Sequence, residues 1–137
     1  MQSSVTLFGL LAIAIGAIPG AVSRYYLTEF CKQAMGPDFP YGTFIINLSG
    51  CFLMGFFFTL FKGIPGFSPE IDLFIRTGFL GAYTTFSTYG YDTLTLWQND
   101  KPGATFLYWA GSATLAVLGA VLGRSLALLW IGASSFH

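Results

Sequence analysis

The chain has 137 residues, six Lys/Arg against six Asp/Glu, and no net charge. It is 54% hydrophobic and 9% charged, where soluble domains carry about 25% charged residues. That profile belongs to an integral membrane protein, and the balanced charge excludes a basic footprint for nucleic acid.

A hydrocarbon core of about 30 Å takes roughly 20 apolar residues as a helix. Four stretches meet that length, so the chain is expected to be one all-α domain, 1–137, with four transmembrane helices. The first runs from Val5 to Tyr26. It lacks a positive n-region, and its apolar run exceeds that of a cleaved signal peptide, so it is read as a retained span. Pro19 is expected to kink it. Gly16 and Gly20, with Gly9 further up, are small residues at helical spacing that let backbones approach in lipid. For each such pair alone, plain helix packing is the simpler reading.

The second span runs from Thr43 to Phe61. Thr43, Asn47, Gly50 and Met54 form one stripe down a helix face. The third, Leu73 to Trp97, contains GAYTTFSTYG at 81–90, with Thr84, Thr85, Ser87, Thr88 and the phenol of Tyr89 between two glycines. Gly78, Gly81 and Gly90 and the β-branched pair Thr84–Thr85 are poor material for a continuous helix. A break near Gly81 to Thr85 is expected, releasing carbonyls near the midplane. Irregular backbone at that depth is tolerated where it is buried in protein or lines a cavity, and freed carbonyls there can hold a cation. The fourth span runs from Ala104 to Trp130. Tyr108 and Ser112 share a face that Ala116, Gly119 and Gly123 continue.

The deep polar groups are hydroxyls and one carboxamide. No Asp or Glu lies near the middle of a span; Glu29, Asp72 and Asp92 fall near span ends. Hydroxyls and amides donate hydrogen bonds without negative charge, and phenyl rings add positively polarised edges. A route lined this way suits an anion better than a cation. A proton-coupled small multidrug exporter, the alternative four-span reading, needs a deep carboxylate in the first span, and none is present. A packing subunit has no use for a hydroxyl-rich break. Catalysis finds no nucleophile–base or metal constellation: the only histidine is His137, and Cys31 and Cys51 fit neither a metal spacing nor a disulfide framework.

Lys62, Arg76 and Arg124 fall on one side of the membrane and Arg24, Lys32 and Lys101 on the other. The positive-inside rule thus gives no net instruction. Such a chain can insert both ways, which makes an antiparallel two-fold dimer possible.

GAIPGAVSRYY at 16–26, YGTFIINLSGCFLMG at 41–55 and RTGFLGAYTTFSTYGYDT at 76–93 resemble, in order and spacing, the Fluc (CrcB) family of fluoride channels. The resemblance covers nearly the whole chain. It implies a dual-topology antiparallel homodimer in the cell membrane with two fluoride pores at the subunit interface, exporting fluoride and protecting against its toxicity. It also implies a structural sodium ion at the dimer centre, bound by the carbonyls of Gly81 and Thr84. Phe86 and Tyr89 are implied as the pore aromatics, with Asn47, Ser87 and Thr88 beside them. Thr43, Tyr108 and Ser112 are implied on the same polar route, and Arg24 in a structural or vestibular role. Two positions depart from the family pattern: Tyr89 stands where Phe is usual, and Ala116 replaces a serine one turn after Ser112, with Thr114 nearby.

Overall fold

The computed structural model describes residues 6–134; Val5, at the expected start of the first span, and His137 lie outside them. Among the described residues every regular element is helical. Three helices, α1 (Leu7–Met35), α2 (Tyr41–Gly63) and, after the intervening elements, α6 (Pro102–Ser134), have 29, 23 and 33 residues. At 1.5 Å per residue they measure about 44, 35 and 50 Å, enough to cross a bilayer. All three are also apolar enough to do so.

Between α2 and α6 the chain is subdivided. It passes through α3 (Pro69–Asp72), a π-helical stretch (Leu73–Leu80), α4 (Gly81–Tyr83) and α5 (Phe86–Gln98). Ser68 opens this segment as an N-cap, its side chain accepting from the Ile71 amide, with Pro69 in the first turn and Glu70 and Asp72 at the positive end of the dipole. Asp72 pairs with Arg76 one turn on. The expected interruption falls between α4 and α5, at Thr84 and Thr85.

Span limits read from apolarity were short at α1. The helix continues past Tyr26 to Met35, and Gly36, at φ 83°, ends it by donating to the Lys32 carbonyl. Leu27–Met35 includes good helix formers (Leu, Glu, Lys, Gln, Ala, Met), and polarity ends a membrane span without ending a helix. Pro19 lies inside the continuous α1, where its missing N–H leaves the Ile15 carbonyl without its usual donor.

The small residues are spent on contacts within the chain. α1 packs on the π-helical stretch and α2 on α6. A Cβ on Gly16 would overlap the Phe74 carbonyl, one on Gly20 the Phe79 carbonyl, and one on Gly123 the Phe52 carbonyl. These are the close backbone approaches that small-residue pairs permit in lipid. The Gly16–Gly20 pair and the pair Gly119–Gly123, each four residues apart, are thus accounted for by intrachain packing. The outward faces of α1 and α6 expose large apolar side chains, among them Leu10, Ile18, Val117 and Leu129, as lipid contact requires.

Candidate functional site: a braced helix break beside an aromatic cavity

The site begins with a backbone accounting. Thr84 (φ −79°, ψ 155°) and Thr85 (φ −149°, ψ 118°) are extended, the conformation that their β-branched side chains favour. The Thr84 amide still closes α4 on the Leu80 carbonyl at 3.0 Å. In a continuous helix the Thr85 amide would donate to Gly81. It donates instead to Asn47 Oδ1 at 2.8 Å, while Asn47 Nδ2 donates to the Thr85 carbonyl at 2.9 Å. The Thr88 amide, which would reach the Thr84 carbonyl, donates to Thr85 Oγ1 at 3.2 Å and so caps α5.

Two consequences follow. The Gly81 and Thr84 carbonyls both lose their helical donors, because the amides that would reach them are engaged elsewhere. These are the two carbonyls that the sequence resemblance implies as cation ligands, and neutral carbonyl oxygens suit a hard monovalent cation. Second, Asn47 reaches the break as a brace: its side chain takes up the Thr85 amide that the break released and adds a second donor to the Thr85 carbonyl, which as N-cap already opens α5. Gly50, one turn along α2, faces the Thr84 methyl so closely that a Cβ would overlap it.

Hydroxyls along the helices separate into two kinds. Ser49, Thr59, Thr93, Thr95 and Thr105 donate to carbonyls of their own helix four residues back, the local bonding that such residues commonly make. Thr84 Oγ1 does the same to Leu80. At the break the pattern differs. Thr85 Oγ1 donates to Thr88 Oγ1 at 3.0 Å and lies 3.3 Å from Ser87 Oγ. Ser112 Oγ is buried with no hydrogen-bond partner.

Ser112 lines a cavity of about 220 Å³ with Asn47, Cys51, Thr85, Phe86 and Tyr89. Ala116 also lines it, and Thr114 lies outside this lining, exposed on α6. The Phe86 ring is 84% exposed on this chain's surface, and its centroid lies 5.4 Å from that of Tyr89. Tyr89 is buried and its hydroxyl donates to the Trp109 carbonyl of α6 at 2.8 Å. The hydroxyl is thus engaged with α6 and is no free extra donor to the cavity, while the ring remains part of its wall. The Tyr89 ring packs at a tilt against that of Tyr108, centroids 5.4 Å apart, and the Tyr108 hydroxyl donates to Asp92 Oδ2 at 3.2 Å.

A second cavity of about 330 Å³ includes Thr43, Thr88, Asp92, Lys32 and Lys101 in its lining. Thr43 and Thr88 therefore belong to this outer vestibule rather than to the inner cavity. Tyr108 is fully buried beside Tyr89 and lines neither. Ser87 is exposed beside Phe86, and Arg24 is half-buried on α1 outside both cavities. Sequence reasoning missed Thr85 as the organiser of the break. Its signal was a threonine three residues before another hydroxyl at a helix start. The Asp92–Tyr108 and Tyr89–Trp109 bonds carried no sequence signal, because their partners come from different helices.

These features define a helical membrane protein whose polar chemistry is concentrated where a broken helix meets an aromatic-edged cavity. The family model described as CrcB-like protein, Camphor Resistance (CrcB), matches residues 11–124, and the chain belongs to that family. Among curated relatives, the "Fluoride-specific ion channel FluC" of Synechococcus sp. (strain JA-2-3B'a(2-13)) is 52% identical over 119 residues, 87% of this chain and 92% of the relative. The protein of the same name from Trichormus variabilis is 51% identical, covering 83% of this chain and 87% of the relative. That from Rhizobium etli (strain CIAT 652) is 37% identical, covering 81% and 89%.

Proposed function

We propose that this protein is a passive fluoride channel and not an enzyme, exporting fluoride across the cell membrane. The observation that carries the reading is the buried, unpartnered Ser112 hydroxyl in a cavity edged by Phe86. A buried donor without an acceptor costs about 1–3 kcal/mol, and an acceptor anion in the cavity removes that cost. The names of the close relatives support fluoride as that anion. Fluoride is small and strongly hydrated, so its passage requires close replacement donors. Hydroxyls and ring edges supply them here without a fixed negative charge inside the cavity.

The working unit is an antiparallel homodimer of two four-helix domains, with two pores at the interface. Phe86 supports this: a pore aromatic 84% exposed on one chain needs a second chain to complete its wall. The even division of Lys and Arg between the two sides supports dual insertion. The segment from Pro69 to Gln98 then acts as the broken third span. Gly81 and Thr84 of each chain would hold a sodium ion on the two-fold axis through their released carbonyls. When bound, that ion supplies a fixed positive charge and ties the two breaks together. Asn47 and Thr85 set the position of those carbonyls, Ser112 and Phe86 meet the fluoride in transit, and Thr43 and Thr88 receive it at the vestibule.

Hydrogen fluoride crosses bilayers uncharged and dissociates inside; a passive anion pathway lets the trapped fluoride leave, driven by the membrane potential. The direct test uses liposomes loaded with potassium fluoride, valinomycin to shunt potassium, and a fluoride electrode. Fluoride efflux without chloride efflux is the expected result. Proton-coupled export of a cationic drug by the same vesicles would instead establish the multidrug alternative.

A further inference from the structure

We propose that the Tyr89 hydroxyl is a latch: its bond to the Trp109 carbonyl holds the Tyr89 ring across the passage between vestibule and inner cavity and thereby limits the rate of fluoride transfer. The proposal rests on the fluoride-channel reading above.

The two cavities are neighbours along the same helices. On α2, Thr43 lines the vestibule and Asn47 the inner cavity; four residues separate them, about 6 Å along the axis. On α5, Thr88 and Asp92 line the vestibule, and Phe86 and Tyr89 the inner cavity. On α6, Ser112 lines the inner cavity, while Tyr108 one turn earlier extends its hydroxyl to Asp92 of the vestibule. Tyr89, in the wall of the inner cavity, and Tyr108, bonded to Asp92 in the wall of the vestibule, link the two cavity walls; they are 8% and 0% exposed and their ring centroids lie 5.4 Å apart.

Both phenols of this partition are engaged. The Tyr89 O–H donates to the Trp109 carbonyl at 2.8 Å and the Tyr108 O–H to Asp92 at 3.2 Å. A helical carbonyl has a second lone pair, so Trp109 can accept the phenol without giving up its own helix. The latched ring cannot leave its rotamer without breaking that bond. Phe86, at 84% exposure, has no comparable anchor. The two aromatics therefore differ in role: Phe86 presents a movable edge, and Tyr89 is a positioning residue that keeps the partition closed between transfers.

Tyr89→Phe removes the hydroxyl and keeps the ring between Phe86 and Tyr108. Its fluoride efflux is expected to rise roughly fivefold, the factor by which one hydrogen bond of ordinary net strength raises a barrier. Fluoride-over-chloride selectivity and dimer formation should be unchanged. A merely structural bond would alter melting behaviour and leave the rate alone, so equal or slower efflux from a dimeric Tyr89→Phe protein overturns the proposal. A measurement independent of conduction accompanies it. In membranes containing protein with a 13C-carbonyl at Trp109, solid-state NMR should show a cross-peak from a slowly exchanging tyrosine hydroxyl proton, absent in Tyr89→Phe. Its absence from wild type removes the latch even if the channel conducts. Wild type that passes no fluoride removes the channel reading, and with it the rate claim.

Discussion

Asn47 gives both polar ends of its carboxamide to the backbone of one residue, Thr85, thirty-eight positions away. The donor end meets the carbonyl and the acceptor end the amide, as a neighbouring strand would. A broken helix in lipid must find partners for its backbone groups, and α2 supplies two of them with a single side chain. Asn47→Asp keeps an acceptor for the Thr85 amide but turns the donor into a second oxygen facing the Thr85 carbonyl. It also places negative charge in the wall of the cavity proposed as the anion route. Fluoride efflux should fall to background, and stability should drop by about 1–3 kcal/mol for the lost hydrogen bond and the two oxygens left facing each other, read by thermal denaturation in detergent. Full activity in Asn47→Asp would mean that the brace is dispensable.

Phe86→Ile tests the exposed ring. Isoleucine conserves apolar bulk but has no polarised edge. Because Phe86 is not part of the chain's own buried core, the variant should fold and dimerise, with fluoride efflux reduced more than tenfold. Normal efflux from a dimeric preparation places Phe86 outside the pore.

Ser112 and Ala116 make a reciprocal pair. Ser112→Ala removes the one buried unpartnered side-chain donor among the described residues and should slow efflux roughly fivefold, at the net value of about one hydrogen bond. Ala116→Ser adds a hydroxyl one turn along the same cavity wall and should offset part of that loss in the double variant. If Ser112→Ala leaves the rate untouched, the donor is idle during conduction.

Gly123→Val probes the helix contacts rather than the pore. The Phe52 carbonyl occupies the space of a Gly123 Cβ, so α2 and α6 must separate. Overpacking of this kind costs about 1–3 kcal/mol, visible as a lower melting temperature. An unchanged melting temperature would show that the close approach contributes nothing.

The proposed cation has its own test. Exchange of sodium for a bulky organic cation during purification should lower the melting temperature of the dimer and reduce efflux, with recovery when sodium returns. Indifference to sodium in both measurements removes the ion from the Gly81 and Thr84 carbonyls.

Composition alone determined that this chain belongs in a membrane, because a 54% hydrophobic, 9% charged chain cannot shield its apolar surface from water. Local chemistry also located the break: two β-branched residues among glycines disfavour a helix whatever surrounds them, and the chain is extended at Thr84 and Thr85. The glycine pairs were legible as packing sites but not as to partner. Helix ends were less legible, since the signal for leaving the membrane differs from the signal for ending a helix, and α1 runs on to Met35. The tertiary structure alone decided what each polar group does. Asn47, implied on the polar route and present in the cavity wall, also braces the break; Thr85 had no assigned role and organises the break; the extra hydroxyl of Tyr89 is tied to α6. In each case the partner lies on another helix or across the interrupted turn, and a hydrogen bond depends on that distance and direction. Residue type and spacing along one helix set which groups can donate, while the packing of several helices determines where the donors go.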